Sequence, residues 1–358
     1  MLMSNSIELK NLVKKFGDVV AVDDVSLEVP EGALLILLGP SGCGKTTILR
    51  MLAGLEKPTS GEISYDGKLV ANGEKGNIVP SGERNLGMVF QSYALWPHMT
   101  IEENIEWPLK IKGWSASERK ARIEEVLKIM SISELSKRYP NEISGGQQQR
   151  AAITRTIAAK PKVLLFDEPL SNLDAKLRME MRYELMRIHR ITGATSVYVT
   201  HDQVEAMTMA THVAVMRKGK IEQFDSPREL LKNPATPFVA TFLGTPPANV
   251  LSLDQSDGKY YYKGIPVGNV RDKKYEKPLG MYRPENLKLA YEPGDRRIKV
   301  ELAEAIPVAG RAMVAVWDEG RRIDVVVPDL PEARPGDSLF LEFPTEPDKI
   351  FEGNESRD

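Results

Sequence analysis

Four short runs of apolar residues set the frame of this chain: "ALLILL" at 33–38, "LGMVF" at 86–90, "VLLF" at 163–166 and "SVYVT" at 196–200. None alternates with polar residues, so each predicts a strand covered on both faces. Helical segments lie between them, and that alternation predicts a largely parallel sheet in an α/β unit. From 101 to 160 the period becomes mostly helical. "SASERKARIEEVLKIM" is the clearest amphipathic run, with Ser115 or Ser117 as its N-cap. After "FVATFLGTPPANV" the character changes to short β-like pieces, among them "YYYKG", "IKVELAEAI", "RAMVAVW" and "RRIDVVV". Gly, Pro and Asp separate them, which predicts a small β-barrel or sandwich. The expected division is therefore 1–240 and 241–358, with Thr245-Pro246-Pro247 beside the junction and a disordered tail, "EGNESRD". No internal repeat is visible.

Composition narrows this little. The chain has 358 residues, 42% hydrophobic and 27% charged, in the range of globular proteins with two or three domains. A net charge of −2 gives no support for nucleic-acid binding. No run approaches the roughly 20 apolar residues of a membrane span, and "MLMSNSIELKN" lacks the pattern of a signal peptide. The single cysteine, Cys43, excludes an internal disulfide and suits a cytoplasmic setting.

Chemistry enters at the ends of the apolar runs. "LLILLGPSGCGKTTILRMLAG" is a strand, a glycine loop and a helix in order. Gly39, Gly44, Lys45 and Thr46 match G-x-x-x-x-G-K-[ST], and Ser41, Gly42, Cys43 and Thr47 belong to the same cradle. Backbone N–H groups close on a β-phosphate, Lys45 reaches the β- and γ-phosphates, and the Thr46 hydroxyl can ligate Mg²⁺. Cys43 lies near a helix N-terminus that should favour its thiolate, and ATP should shield it from alkylation. Asp167 and Glu168 end "KVLLFDEP". Asp167 can help hold Mg²⁺, while Glu168 faces an attacking water as general base. Taken alone, such a pair is as often a turn or an N-cap. Gln91 and His201 each follow another apolar run, and each could reach a γ-phosphate or its water, although a lone Gln there is usually a solvated loop residue and a lone His structural. His98, His189 and His212 have no metal-ligand spacing.

A second helix start, "NEISGGQQQR" at 141–150, also suits an anion, although an ordinary Ser N-cap with flexible glycines is the plainer alternative. Gly39–Thr46, Gln91, Ser144-Gly145-Gly146-Gln147, Asp167-Glu168, "SNLDA" (171–175) and His201 occur in the order seen in ABC-transporter ATPase subunits. "MVFQSYALWPHMT", "FDEPLSNLDAKLR", "YVTHDQVEAMT" and the later "YRPENLKL" resemble the importer branch that includes the maltose, polyamine and ferric-iron transporters. Ile143 stands where that family usually has Leu, and the later strands of the C-terminal segment match poorly.

The resemblance implies an ABC ATPase domain with a helical subdomain near 92–160, followed by a small all-β, OB-like regulatory domain. It implies that Phe16 stacks on adenine and that Gln91 links the γ-phosphate to the membrane partner, as a further Mg²⁺ ligand. His201 would be the switch histidine. Ser144 to Gln147, with Asp174, would act in trans on the ATP of a second copy, in a homodimer. Tyr93, Leu95 and Trp96, exposed-looking in sequence, would contact integral-membrane permease subunits, with packing between subdomains as the alternative. ATP and Mg²⁺ are the implied cofactors. An extracytoplasmic solute-binding protein is an indirect partner, and the place is the cytoplasmic face of the membrane. "SNLDAKLR" and "GTPPANV" lean toward a sugar, whereas the longer "ANGEKGNIVPSGER" (71–84) leans toward iron or phosphonate. A soluble ABC ATPase acting on DNA or ribosomes is the distant alternative, since long coiled-coil insertions and a tandem unit are lacking. A P-loop kinase or GTPase would leave "SGGQQQR" and His201 unexplained.

Overall fold

The computed structural model describes residues 5–270 and 275–353. Two compact units divide between Pro227 and Arg228. This division precedes the boundary at 240 expected from composition. The physical reason is that the helix Pro237–Phe242 is apolar on one side, and its Ala240 packs with Val250, Leu279, Met281 and Phe351.

The first unit holds two sheets. The larger has six strands in the order 220–225, 212–217, 34–38, 195–200, 163–167, 86–89. All neighbours are parallel except the 212–217/220–225 hairpin at one edge. Every residue of Leu34–Leu38, Val163–Asp167 and Thr195–Thr200 is buried, as continuous apolar runs require. The smaller sheet is antiparallel: Asn5–Phe16, Val19–Pro30, Ser60–Tyr65, Lys68–Asn72 and Asn77–Ile78. The longer 71–84 segment is thus mostly a hairpin and a short 3₁₀ turn at Ser81–Glu83.

Three helices, Ile101–Ile111, Ala116–Ile129 and Gly145–Ala158, fill the stretch between. Ser115 is the cap of the second, in a reciprocal pair with Glu118. Asn104, fully buried, organises the entry to the first. It accepts from Trp96 N at 2.9 Å and donates to the carbonyls of Trp96, Met99 and Thr100 at 3.0–3.1 Å.

Among the described residues, the second unit after its short helices is β apart from a 3₁₀ turn at Pro284–Asn286. A five-stranded antiparallel sheet runs 288–290, 338–342, 297–308, 311–318, 321–327, beside two three-stranded sheets. The three share one core in which Phe343 sits 5.2 Å from the rings of both Tyr262 and Tyr282. Asp318, nearly buried there, accepts from Tyr262 Oη and from Lys263 Nζ at 2.6 Å. The strand Lys349–Glu352 runs into the stretch expected to be disordered, because its backbone pairs with Pro278–Tyr282. Residues 354–358 of that tail lie outside the described residues.

Asn104→Leu should lower the free energy of unfolding of the first unit by roughly 2–4 kcal/mol, since it leaves the Trp96 N–H and the Met99 carbonyl without this partner, and each buried polar group left unpaired costs about 1–3 kcal/mol. Urea unfolding followed by tryptophan fluorescence measures it, and a loss below about 0.5 kcal/mol would remove Asn104 from this role.

Candidate nucleotide site

The glycine loop after Leu38 is walled by backbone. A Cβ on Gly39 would lie 2.3 Å from the carbonyl of Met216, and one on Gly44 would lie 2.4 Å from that of Ala21. Gly44 also has φ +104°, a conformation that L side chains rarely adopt. Gly219 N donates to Cys43 O at 3.2 Å, closing the wall. Lys45 opens the helix Lys45–Ala53, yet its ammonium turns back onto the loop. It donates to Gly39 O at 2.7 Å and Pro40 O at 2.9 Å, and lies 3.7 Å from Cys43 Sγ. These are carbonyls that an anion's oxygens would replace as partners.

Cys43 corrects the sequence reading. It is 4% exposed, and burial pushes its thiol up, against the opposing pull of the Lys45 charge. Desolvation outweighs the charge and hydrogen bonds of Lys45, so the neutral thiol is favoured.

Strand register brings the remaining groups to one edge. Leu38 faces Thr200, Asp167 faces Val199, and Val89 faces Phe166. The chain therefore leaves the sheet at Gly39, Glu168, His201 and, after Phe90, Gln91 on the same side. Thr46 Oγ1 donates to Asp167 Oδ1 at 3.2 Å. Burial pushes the Asp167 carboxyl up, with the Thr46 hydrogen bond opposing. A hydroxyl and a desolvated carboxylate with oxygen donors side by side fit a hard divalent cation, which would supply the missing counter-charge. Glu168 has φ +43° and is held there by Glu168 N to Val199 O at 3.1 Å and Ser171 Oγ to Glu168 O at 2.9 Å. Its Oε2 lies 3.3 Å from His201 Nδ1. Gln91 Nε2 donates to Ser171 Oγ at 3.2 Å, and Asn172 Nδ2 donates to Gln91 O at 3.2 Å. Ser171 and Asn172, read before only as part of "SNLDA", thus knit Gln91 to Glu168.

Phe16 ends the first strand of the antiparallel sheet and is 49% exposed, with Lys14 Nζ 4.7 Å from its ring centroid. The ring is thus half exposed rather than buried in a core. From this hairpin the strand Val19–Pro30 leads to Ala21, the wall of the glycine loop.

Ser144 caps the helix Gly145–Ala158. Its Oγ accepts from Gln147 N at 3.4 Å, and Gln147 Oε1 accepts from Ser144 N at 2.9 Å. The plain N-cap reading is therefore realised in the single chain. Gly146 is buried because Leu177 packs there; a Cβ would lie 2.6 Å from Leu177 Cδ2. Asp174 caps the helix bearing Leu177, accepting from Lys176 N and Leu177 N. The Ser144 end borders a cavity of about 210 Å³ with Ile132, Arg150 and Leu177, and no glycine-loop residue lines it. Within one chain the two anion-suited helix ends are separate.

Tyr93, Leu95 and Trp96 are half-buried rather than exposed. Trp96 packs edge-on to Trp107 at 6.4 Å. Three buried arginines escaped the sequence reading. Arg84 donates to Met51 O and Leu52 O at 2.8 Å, Arg122 to Ile157 O and Ala158 O at 2.9–3.0 Å, and Arg155 to the carbonyls of Tyr93 and Ala94.

Residues 22–171 match the family model described as ABC transporter. The chain is 54% identical over 245 residues to the trehalose/maltose import ATP-binding protein MalK of Thermococcus litoralis, covering 68% of this chain and 66% of that one. It is 41% identical over 355 residues to the sn-glycerol-3-phosphate import ATP-binding protein UgpC of Salmonella typhi, covering 97% and 98%. Among solved structures, a dimeric ATP-binding cassette in a post-hydrolysis state with ADP and Pi aligns at TM-score 0.55 and 34% identity. That alignment covers 62% of this chain and 99% of that one.

Two outcomes are expected. Alkylation of Cys43 should run slower at neutral pH than that of an unfolded cysteine peptide and climb as pH rises, because the thiolate is the nucleophile. Equal rates would show that burial neither raises the thiol nor shields it. Asp167→Asn should raise the thermal midpoint of the nucleotide-free protein, by removing a desolvated charge, while reducing its stabilisation by Mg-ATP. A lowered midpoint would count against burial as the dominant force on Asp167.

Proposed function

This chain belongs to the ABC transporter family, and we propose that it is the ATP-hydrolysing subunit of an importer for a polar solute, with a sugar favoured. One observation carries the reading. Register gathers the glycine loop, Asp167, Glu168, His201 and Gln91 at one edge, while the Ser144 helix end opens elsewhere. The similarity to import ATP-binding proteins runs over both units. The 71–84 segment that leaned toward iron or phosphonate is a hairpin tied down by Arg84, and the import proteins it resembles are named for trehalose/maltose and sn-glycerol-3-phosphate.

The residues divide the work as follows. Phe16 stacks on adenine, and the loop amides of Ser41 to Thr47 hold the phosphates. Lys45 exchanges the carbonyls of Gly39 and Pro40 for β- and γ-phosphate oxygens. Thr46 and Asp167, with Gln91, would hold Mg²⁺, which neutralises developing phosphate charge. Glu168 accepts a proton from the water whose oxygen attacks the γ-phosphorus as the bond to the β–γ bridging oxygen breaks and ADP leaves, and His201, 3.3 Å from that carboxylate, orients it. Ser144, Gly145, Gly146 and Gln147 of a second copy face the γ-phosphate, with Asp174 at the contact. The pair is two-fold and isologous, closed by ATP and reopened by hydrolysis.

No helix among the described residues is long and apolar enough to cross a membrane. The subunit sits peripherally, on the cytoplasmic face of the membrane, against permease subunits that meet the Tyr93–Trp96 loop. An extracytoplasmic binding protein delivers the solute. The domain limits 1–240 and 241–358, with the helical part near 92–160, are kept as functional divisions.

Reconstitution with permease subunits and a binding protein should stimulate ATP hydrolysis when sugar is added; a soluble ABC ATPase would not respond. Glu168→Gln should slow hydrolysis by about 10²- to 10⁴-fold and trap an ATP-bound dimer. Ser144→Arg should leave ATP binding largely intact and abolish hydrolysis. Fast turnover by either variant overturns the corresponding role.

A further inference from the structure

Arg155 lies on the helix that Ser144 opens, about three turns along it. It is 7% exposed. Its Nη1 donates to Ala94 O at 2.6 Å and its Nη2 to Tyr93 O at 3.1 Å. The guanidinium carbon lies 4.8 Å from the Trp96 ring centroid. Burial pushes its pKa down to about 10, so it stays charged at neutral pH. A buried charge of this kind is retained only where its donors are well used.

The carbonyls it holds belong to an unusual turn. Tyr93 has φ +63° and Ala94 φ +49°, left-handed values that non-glycine residues adopt only under local constraint. Tyr93 N donates to Phe90 O at 3.0 Å, so Gln91 sits inside that turn. The entry of Gln91 is fixed by its strand and its carbonyl by Asn172. Arg155 fixes the exit.

We propose that Arg155 is a positioning residue that sets the Gln91–Trp96 turn from the Ser144 helix. A shift of the helix bearing Ser144-Gly145-Gly146 then moves Gln91 and Trp96 with it, through the two hydrogen bonds and the ring contact. Lysine cannot replace it, since a point ammonium lacks the planar fork that spans both carbonyls while stacking on indole. This inference rests on the reading of Gln91 as part of the hydrolytic site.

The full-length Arg155→Lys chain decides it through two readouts. For ATP hydrolysis, kcat should fall about tenfold to a hundredfold, as a small misplacement does, with the KM for ATP within about twofold. Amide exchange of residues 91–96 should quicken about tenfold without change in the helix Lys45–Ala53. An unchanged kcat, or faster exchange across the whole first unit, overturns the proposal. Should Arg155→Lys not fold, Trp96→Leu removes the ring contacts with Arg155 and Trp107, and Trp107→Leu controls for the second; exchange at 91–96 faster in Trp96→Leu than in Trp107→Leu supports the proposal, and no excess overturns it. A wild-type chain without ATPase activity would refute the function proposed above, while the exchange readout would still decide Arg155.

Discussion

A helix can turn its N-terminus to a phosphate only if the carbonyls at its other end are satisfied. Both anion-suited helices meet this requirement with a buried arginine. Arg84, 6% exposed, holds Met51 O and Leu52 O at the end of the helix that Lys45 opens. Arg122, 9% exposed, holds Ile157 O and Ala158 O at the end of the helix that Ser144 caps. Each cation sits where the helix dipole is negative, an interaction of typically 0.3–1 kcal/mol, more when partly buried. The hydrogen bonds matter more, because a buried charged donor left without acceptors is the costlier state. Burial lowers the Arg84 pKa only against the opposing pull of Tyr65, whose hydroxyl donates to the same Leu52 carbonyl at 2.6 Å. With their inner ends fixed, the two helices point their outer ends at fixed places.

The sheet supplies the second constraint. Adjacent parallel strands in register make residues at the ends of different strands neighbours, whatever their separation in the chain. Glu168 then needs a further step, since a carboxylate continuing the strand would not face His201. Its left-handed backbone, a cost of order 1–3 kcal/mol, turns the chain at that residue. Val199 O and Ser171 Oγ stabilise the turn, and Ser171 passes the same constraint to Gln91. The strain therefore sits where the proposed chemistry needs a side chain aimed across the strand ends.

Legibility followed the kind of signal each element leaves. Covered strands leave uniform apolar runs, so Leu34–Leu38, Val163–Asp167 and Thr195–Thr200 were readable to within a residue or so. The antiparallel sheet went unread because its strands alternate: Val19–Pro30 is buried only at every second position over much of its length. Motif residues with side-chain chemistry were readable in order. Arginines that serve backbone carbonyls were not, since a carbonyl has no letter in the sequence; Arg155 in "AAITRTIAA" looks like any helical arginine. Cys43 was misread because position near a helix start is visible in sequence and burial is not. The compact units divide ahead of residue 240 for a related reason: Ala240 looks neutral until it packs beside Phe351.

Both halves of the proposed shared site are internally satisfied in the single chain. Lys45 is bonded to Gly39 O and Pro40 O, and the Ser144 hydroxyl is committed to Gln147 N. Neither half therefore leaves a buried, unsatisfied charge that would pull two chains together without nucleotide. Association must draw on differential contacts, and a ligand shifts such an equilibrium only by what it binds better in one state. In the proposed site, a γ-phosphate touching Lys45 of one copy and the Ser144 helix end of the other would be such a ligand, since its charge would meet both only in the closed pair. Cleavage divides that charge between two products. On this reading the self-satisfied ground state gives ATP, rather than the protein surface, control over closure.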